Sequence, residues 1–349
     1  MKRRIQIGTR PVGEGAPTYF IAEIGSNFDG SLTKAKELVV AAKESGADAV
    51  KFQTFTAQQL VSGHSFERIN IGYQANWKES TYQVYKKAEF PRDWHLEVAE
   101  YSKAQGIEFF TSVWDLEAVA LLEQLGAPAY KIGSGDVTYS KLIRAVAETG
   151  KPLILSTGAS DMSEVAAAVD VIRKAGNDQL VLLQCVVNYP SLAQSANIRV
   201  IETYAKAFET IVGYSDHSPG DVVALGSIAL GGKMIEKHFT MDRTLPGPDH
   251  PHSMEHHEFA LMVQRARTLE AALGSTEKVP VAEEKDTRII MRRSLHARRA
   301  IAKDEVITAD MLVPLRPATG IAPDHADLVI GRRAKRALEE TEAIQWSDV

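Results

Sequence analysis

The sequence predicts an α/β fold, a closed (β/α)8 barrel of the TIM type that is followed by a small domain rich in short β segments. Three observations lead to this prediction. Eight short apolar runs alternate with amphipathic stretches over the first three-quarters of the chain. The runs are almost continuously apolar, which is typical of strands in a parallel sheet that helices cover. No glycine-rich dinucleotide-binding motif follows the first run, which disfavours an open doubly wound sheet.

The runs and the stretches between them define the elements of the barrel in order. Apolar residues recur with the 3.6-residue period of a helix between the runs, for example at Ala35, Leu38, Val39 and Ala42. A longer insertion, residues 57–90, separates the second and third runs and is expected to be a loop with some helix over the barrel mouth. The eight predicted strands lie at residues 19–25, 49–55, 108–114, 129–135, 152–158, 180–189, 211–218 and 233–239.

The alternating pattern stops near Gly274, which predicts a domain boundary. We expect a catalytic barrel over residues 1–273, a polar linker over 274–287 and a second domain over 288–349. The second domain is too small to bury more than a modest core, so we expect it to pack against a neighbour.

Composition narrows the class of protein. The chain has 349 residues and a net charge of −5, which argues against nucleic acid or an anionic membrane as the main partner. Cys185 is the only cysteine, so no internal disulfide can form, as in a protein of a reducing compartment. The N-terminal residues lack the apolar core of a signal peptide, and no run is long enough to span a bilayer. We therefore expect a cytoplasmic enzyme.

Two histidines end neighbouring runs of the predicted barrel. His217 lies at the end of the seventh run and His238 at the end of the eighth, and Asp216 and Glu236 flank them. The carboxyl ends of all barrel strands open on one face, so the two imidazoles should meet at the mouth. Such a pair suits a divalent cation, Mn²⁺ first and Mg²⁺ or Co²⁺ as alternatives. In the competing interpretation, each histidine is an ordinary polar residue whose hydrogen bonds are satisfied at the end of its strand.

Lysines and hydroxyls at the same rim predict an anion site. A lysine inside an apolar strand is costly unless it is paired, so Lys51 and Lys131 are not expected to be ordinary surface residues. Together with nearby polar side chains they could hold a phosphate or a carboxylate. A Schiff-base lysine, as in barrel aldolases, is the alternative. The further residues of this predicted site are Gln53, Ser134, Ser156 and Ser215.

Acidic residues complete the predicted rim. Glu23, Asp136, Glu236 and Asp249 could act as acid or base, could contact sugar hydroxyls, or could simply pair with the lysines. The histidine-rich segment 249–257 is expected to be a solvated loop that leads into a helix.

In series, these segments resemble the sialic acid synthase family, whose members make N-acetylneuraminate and related nonulosonates. The matching stretches include "FIAEIGSNFDGSL", "GADAVKFQTF", "YKIGSGD", "GKPLILSTGAS", "NYP", "VGYSDHSPG" and "IEKHFTMDRTLPGPDH". The tail "RRSLHARRAIAKDEVITADML", with "RPATGIAP" after it, is similar to that family's C-terminal domain, which is related to type III antifreeze protein. The resemblance covers nearly the whole chain in the right order.

The resemblance implies a metal-dependent condensation of phosphoenolpyruvate with the open-chain aldehyde of an N-acylated hexosamine, with release of phosphate. It implies that His217 and His238 hold the metal and that Glu23, Asp136 and Glu236 are the catalytic carboxylates. It also implies a homodimer in which the C-terminal domain contributes to the partner's active site. Phosphoenolpyruvate would contact Lys51, Gln53, Thr111, Lys131, Ser134, Ser156, Asn188 and Ser215, and the sugar would contact Tyr189, Asp249 and Arg316.

Three questions stay open in the sequence. Phe28 stands where the family commonly has histidine, which leaves the role of that ring in doubt. N-acetylmannosamine is the first candidate sugar, and its 6-phosphate or the acceptors of the legionaminate and pseudaminate routes are the alternatives. A Schiff-base aldolase and a non-catalytic carbohydrate-binding protein are the competing functions.

Overall fold

Eight parallel strands close into a barrel, and each of the eight predicted runs overlaps one of them. The computed structural model describes residues 1–69, 74 and 77–349. Each barrel strand pairs with the next along the chain, and β10 pairs with both β9 and β3 to close the ring. The strands of this part are β1 (Arg4–Ile7), β2 (Arg10–Gly13), β3 (Tyr19–Glu23), β4 (Ala49–Thr54), β5 (Glu108–Val113), β6 (Tyr130–Ile132), β7 (Leu153–Ser156), β8 (Leu180–Cys185), β9 (Ile211–Asp216), β10 (Met234–Thr240) and β11 (Met254–Glu255).

Alternation along each strand decides which side chains enter the barrel. In β4, Val50 and Phe52 belong to the core between the strands and the helices, whereas Ala49 belongs to the core inside the barrel. Lys51 and Gln53 share the inward direction of Ala49 and line the mouth. The two-residue period therefore brings polar groups into the barrel above its apolar lower half.

Amphipathic helices cover the outside of the barrel, as predicted. Helix α8 shows the local reason for one boundary, because Asp161 accepts hydrogen bonds from the backbone N–H groups of Ser163 and Glu164. The insertion 57–90 contains three short helices, and its residues 70–73, 75 and 76 lie outside the described part. The helices are α1 (Leu32–Glu44), α2 (Ala57–Leu60), α3 (Gly63–Phe66), α4 (Thr81–Ala88), α5 (Trp94–Ala104), α6 (Leu116–Gln124), α7 (Ser140–Glu148), α8 (Met162–Lys174), α9 (Val200–Phe208), α10 (Val222–Ala229) and α11 (His256–Leu273).

An N-terminal hairpin, β1 with β2, completes the core inside the barrel and was not predicted. Ile5, Ile7 and Val12 of the hairpin are buried in one cluster with inward residues such as Ile21 and Phe110. This cluster occupies the lower half of the barrel, so the cavity at the mouth has a closed apolar floor beneath it. Each hairpin strand has only four residues, so its alternation of apolar and polar residues is too short to be recognised in the sequence.

The chain divides into two units, Met1–Gly274 and Ser275–Val349. The second unit contains α12 (Lys285–Met291), β12 (Ser294–Ala297), β13 (Leu312–Leu315) and α13 (Ala326–Val329), with β12 and β13 antiparallel. It has its own buried cluster, which includes Leu295, Ile307 and Ile344. Residues 274–292 are exposed, and part of the stretch that we expected to be a linker forms α12. Among the described residues, none of the helices combines the length and apolar character that crossing a bilayer requires.

Candidate active site

The carboxyl ends of the barrel strands surround a cavity of about 500 Å³. Most residues that the sequence assigned to the rim line this cavity, although they come from all parts of the barrel. Closure of the barrel explains this, because every strand ends on the same face. The predicted residues that line it are Glu23, Lys51, Gln53, Lys131, Ser134, Asp136, Ser156, Tyr189, Ser215, His217, Glu236, His238 and Asp249.

Two lysines and two carboxylates form a buried charged cluster at the base of the cavity. Lys51 Nζ lies 2.6 Å from Glu23 Oε2 and 3.7 Å from Glu236 Oε1. Lys131 Nζ lies 3.5 Å from the same oxygen of Glu236. Lys51 also donates to Ser112 Oγ at 2.8 Å, a partner that the sequence analysis did not identify. Since all four charged side chains are buried, each depends on the others for compensation.

The pKa values of the two carboxyls in this cluster are shifted in opposite directions. Burial raises the pKa of Glu23 to about 7, even though Lys51 opposes the shift. Burial would also raise the pKa of Glu236, but the charges of Lys131 and Lys51 hold it below its usual value. Burial also raises the pKa of Asp136, to about 6. Near pH 7, Glu236 is therefore ionised while Glu23 is divided between its two forms, as a proton carrier requires.

The predicted histidine pair meets at the mouth. The ring centroids of His217 and His238 are 5.5 Å apart, and Tyr189 contacts His217 at 4.2 Å between centroids. Burial lowers the pKa of His217 to about 4 and the pKa of His238 well below its usual value. His217 Nδ1 lies 2.8 Å from the carbonyl oxygen of Val186, so donation from Nδ1 leaves Nε2 free to bind a ligand. Neutral imidazoles with one free nitrogen fit a divalent cation.

A buried ion pair on the outer side of β9 and β10 positions these histidines. Lys237 Nζ lies 2.7 Å from Asp216 Oδ2 and donates to the carbonyl oxygen of Ser218 at 2.6 Å. Asp216 and Lys237 each precede one histidine and are 0% and 3% exposed. Gly213 permits the close approach of the two strands, because a Cβ there would overlap the carbonyl oxygen of Met234. The charged neighbours of the histidines thus link the two strand ends.

The outer part of the cavity is apolar. Phe55 packs edge to face on Trp114 with centroids 5.4 Å apart, and α2 to α4 add aliphatic and aromatic side chains. The sequence predicted helix over the mouth but not this apolar surface. We call it the aromatic wall, and it consists of Phe55, Leu60, Val61, Phe66, Val84, Ala88 and Trp114.

Two predicted site residues of the barrel unit do not line the cavity. Thr111 points outward from β5, where its hydroxyl lies 2.7 Å from Thr54 Oγ1, and its predicted contact with phosphoenolpyruvate stays a prediction. Its neighbour Ser112 has the inward direction. Asn188 is exposed and donates to the carbonyl oxygen of Pro190 at 3.2 Å, and its predicted contact with phosphoenolpyruvate likewise stays a prediction. Arg316 belongs to the second unit, and its predicted role stays a prediction.

One residue corrects an expectation from the sequence, and another answers a question that the sequence left open. His252, within the segment that we expected to be solvated, lines the cavity with 7% of its side chain exposed. The signal that could have revealed His252 is its position three residues after Asp249, because this spacing places both residues in a single helical turn. Phe28 is fully buried and packs edge to face on Phe90 and Trp94. Its ring therefore serves the core and does not line the cavity.

Two family models match the sequence. The NeuB family model matches residues 38–278, and the SAF domain model matches residues 292–349. The chain belongs to the NeuB family. The predicted family, the barrel and the antifreeze-like C-terminal domain are thereby confirmed.

Relatives of this NeuB-family chain match it over almost its whole length. It is 40% identical over 349 residues to N,N'-diacetyllegionaminic acid synthase of Legionella pneumophila, with 98% of this chain and 97% of the relative covered. It is 36% identical over 332 residues to the Campylobacter jejuni protein of the same name, with 94% and 99% covered. These full-length matches to synthases make the chain an enzyme.

A solved structure agrees with the barrel assignment. The N-acetylneuraminic acid (sialic acid) synthetase of Leptospira borgpetersenii, crystallised with citrate, superposes with a TM-score of 0.73 at 33% identity. The match covers 82% of this chain and 95% of that protein.

Proposed function

We propose that this NeuB-family enzyme condenses phosphoenolpyruvate with the open-chain aldehyde of an N-acylated hexosamine and releases inorganic phosphate. The observation that carries the proposal is the buried cluster of two lysines and two carboxylates beside two neutral imidazoles at one barrel mouth. An anionic substrate, a proton carrier and a cation site are thus available within one cavity. The names of the full-length relatives support the same class of reaction.

The base of the cavity is proposed to hold phosphoenolpyruvate. Lys51 and Lys131 supply positive charge, and Ser156 Oγ is buried with no hydrogen-bond partner among the described residues. Such an unpaired hydroxyl is costly unless a ligand satisfies it. Ser134 accepts from the backbone N–H of Gly158 at 2.9 Å, which fixes its hydroxyl at the edge of the same cavity. Gln53 and Ser215 complete the proposed anion site.

His217 and His238 are proposed to hold a divalent cation, Mn²⁺ first. Their neutral state and the unpartnered, buried Nδ1 of His238 support this assignment. A cation bound there would polarise the aldehyde of the acceptor as a Lewis acid.

The reaction forms one bond between carbons and breaks the bond between the enol carbon and the phosphate oxygen. The methylene carbon of phosphoenolpyruvate attacks the aldehyde carbon, and the aldehyde oxygen takes up a proton. The oxygen of water then adds to the former enol carbon, and the bond to the phosphate oxygen breaks to release inorganic phosphate. Glu23, with its pKa near 7, is placed to take the proton of the attacking water, and Glu236 stabilises both lysines as the anion binds.

The aromatic wall supports an unphosphorylated acceptor that carries methyl groups. Apart from Lys51 and Lys131, no lysine or arginine lines the cavity among the residues that the structure describes. A second phosphate on the sugar would therefore lack a counter-charge, whereas acetamido and deoxy methyl groups could pack on Phe55 and Trp114. We accordingly favour a diacetamido acceptor of the legionaminate type over N-acetylmannosamine. The 40% and 36% identities to legionaminic acid synthases support this preference.

The C-terminal unit is proposed to complete the acceptor site of a homodimer. Arg316 is exposed in its own unit, and the described residues provide it with no ion pair. The resemblance to the sialic acid synthase family supports a role for its guanidinium at the acyl group of the acceptor in the partner's cavity.

Acceptor-dependent phosphate release tests the proposal. The full-length enzyme with Mn²⁺ should release phosphate from phosphoenolpyruvate with a diacetamido hexosamine or N-acetylmannosamine, and much less with a 6-phosphorylated sugar. Treatment with pyruvate and borohydride should leave the enzyme active, because no Schiff base forms. Covalent trapping of pyruvate on Lys51 or Lys131 would instead identify an aldolase and contradict the proposal.

A further inference from the structure

The loop after β10 brings a third imidazole to the mouth. His250–His252 form a single helical turn that begins after Asp249. The ring of His252 has its centroid 4.8 Å from that of His238 and 5.0 Å from that of Tyr189. Three histidines therefore surround Tyr189, two from strand ends and one from this loop.

The two imidazole nitrogens that face Asp249 have no hydrogen-bond partner in the part of the chain that the structure describes. His238 Nδ1 and His252 Nε2 are both buried, and neither has a hydrogen-bond partner among the described residues. Asp249 lies between them, with Oδ2 4.0 Å from His238 Nδ1 and Oδ1 3.9 Å from His252 Nε2. Both distances are too long for a hydrogen bond. Three groups that could bind one another directly are held apart instead.

Neighbouring interactions hold this arrangement in place. Asp249 Oδ2 accepts hydrogen bonds from the backbone N–H and the hydroxyl of Ser26, at 2.8 and 2.9 Å. Gly25 leaves room for that carboxylate, because a Cβ there would overlap Asp249 Oδ2. His250, in the same turn, lies 2.8 Å from Thr240 Oγ1 and 3.1 Å from Asp29 Oδ1 through its two ring nitrogens. Both nitrogens of His250 are thus occupied, whereas His252 keeps one free toward Asp249.

We propose that His252 and Asp249 are protein ligands, together with His238, of a divalent cation at the mouth. One candidate ligand atom from each of the three lies within 4.8 Å of the other two. Bonds of about 2.1 Å place adjacent ligands of an octahedral ion about 3.0 Å apart, so the contacts of 4.0 and 3.9 Å that Asp249 makes must each shorten by about 1 Å to bind one ion. Two imidazoles and a carboxylate suit Mn²⁺ or Co²⁺. The inference rests on the metal dependence proposed above and adds loop ligands to the predicted histidine pair.

Metal binding in the absence of substrate tests this inference. Mn²⁺ is titrated into the full-length protein and followed by electron paramagnetic resonance, which reports the free ion directly. We expect His252→Ala to raise the Kd for Mn²⁺ at least tenfold. The exposed His257, on the adjacent helix α11, supplies the matched control, and His257→Ala should leave the Kd unchanged.

A second measurement counts the imidazoles bound to the ion. Electron spin echo modulation of Mn²⁺ in the unmodified protein should show one more coupled imidazole nitrogen than in folded His252→Asn, because His217 and His238 supply coupling in both proteins. An unchanged Kd in both His252 variants, or the same number of coupled imidazoles in the unmodified protein and His252→Asn, overturns the inference. Because no phosphoenolpyruvate or sugar is present, either result is independent of whether the enzyme carries out the proposed condensation.

Discussion

Removal of Lys237 should destabilise the barrel far more than removal of an exposed lysine with the same kind of partner. Its Nζ lies 2.7 Å from Asp216 Oδ2, and the two side chains are 3% and 0% exposed. At an effective dielectric constant of about 20, that separation corresponds to roughly 6 kcal/mol of attraction before desolvation is subtracted. Breaking a buried pair from one side leaves an uncompensated charge, and we expect Lys237→Met to cost about 3–5 kcal/mol.

Two comparisons isolate the buried charge. Lys174 also pairs with an aspartate, Asp170 at 2.5 Å, but the two side chains are 68% and 57% exposed. We expect Lys174→Met to cost less than about 1 kcal/mol. The double variant Asp216→Asn with Lys237→Met should recover much of the loss, because no unpaired charge remains buried.

Urea unfolding, followed by far-ultraviolet circular dichroism at pH 7, measures these costs. The pair links the residues that precede His217 and His238, so Lys237→Met should also weaken Mn²⁺ binding under conditions where the protein stays folded. If the free energy of unfolding of Lys237→Met lies within 1 kcal/mol of that of the unmodified protein, the buried pair does not hold the strand ends together.

Four further predictions concern the substrate site, the core and the dimer. Lys131→Ala should raise the KM for phosphoenolpyruvate far more than the KM for the sugar, and equal changes in both would contradict the proposed anion site. Deprotonation of Glu23, with a pKa of about 7, adds negative charge beside the anion site. The KM for phosphoenolpyruvate should therefore rise above pH 7, and a profile that Glu23→Gln leaves unaltered would refute this reasoning. Burial lowers the pKa of His95 to about 4, so its contribution to stability should be complete above about pH 6.5. As the pH falls toward 4, up to about 3 kcal/mol of that contribution should be lost, and His95→Gln should abolish the loss in urea titrations. Mixed dimers of His238→Ala and Arg316→Ala should regain roughly a quarter of the active sites, and no recovery after proven subunit exchange would exclude a shared site.

The strand pattern made the barrel and most of its mouth predictable. A polar residue inside an apolar strand, such as Lys51 or Lys131, is informative because burial demands a partner. The position of such residues near the carboxyl ends of the runs then places them on one face. The same alternation, applied to the third run, would have selected Ser112 over Thr111, since side chains on one face recur every second residue.

Other features depend on contacts between segments that are far apart in the sequence. The N-terminal hairpin fills the lower barrel only because Ile5 and Ile7 meet inward residues of many strands. His252 follows Asp249 in a loop, and only the packing of that turn against His238 distinguishes it from a solvated histidine. Phe28 could not be assigned for the same reason, because its partners Phe90 and Trp94 belong to other segments.

Phosphate release from phosphoenolpyruvate, measured with and without an N-acylated hexosamine in the presence of Mn²⁺, decides whether the enzyme carries out the proposed condensation. The release should require both the sugar and the metal, equal the amount of nine-carbon 2-keto acid formed, and disappear on chelation. Release without any acceptor, or turnover that survives complete removal of metal, would contradict it.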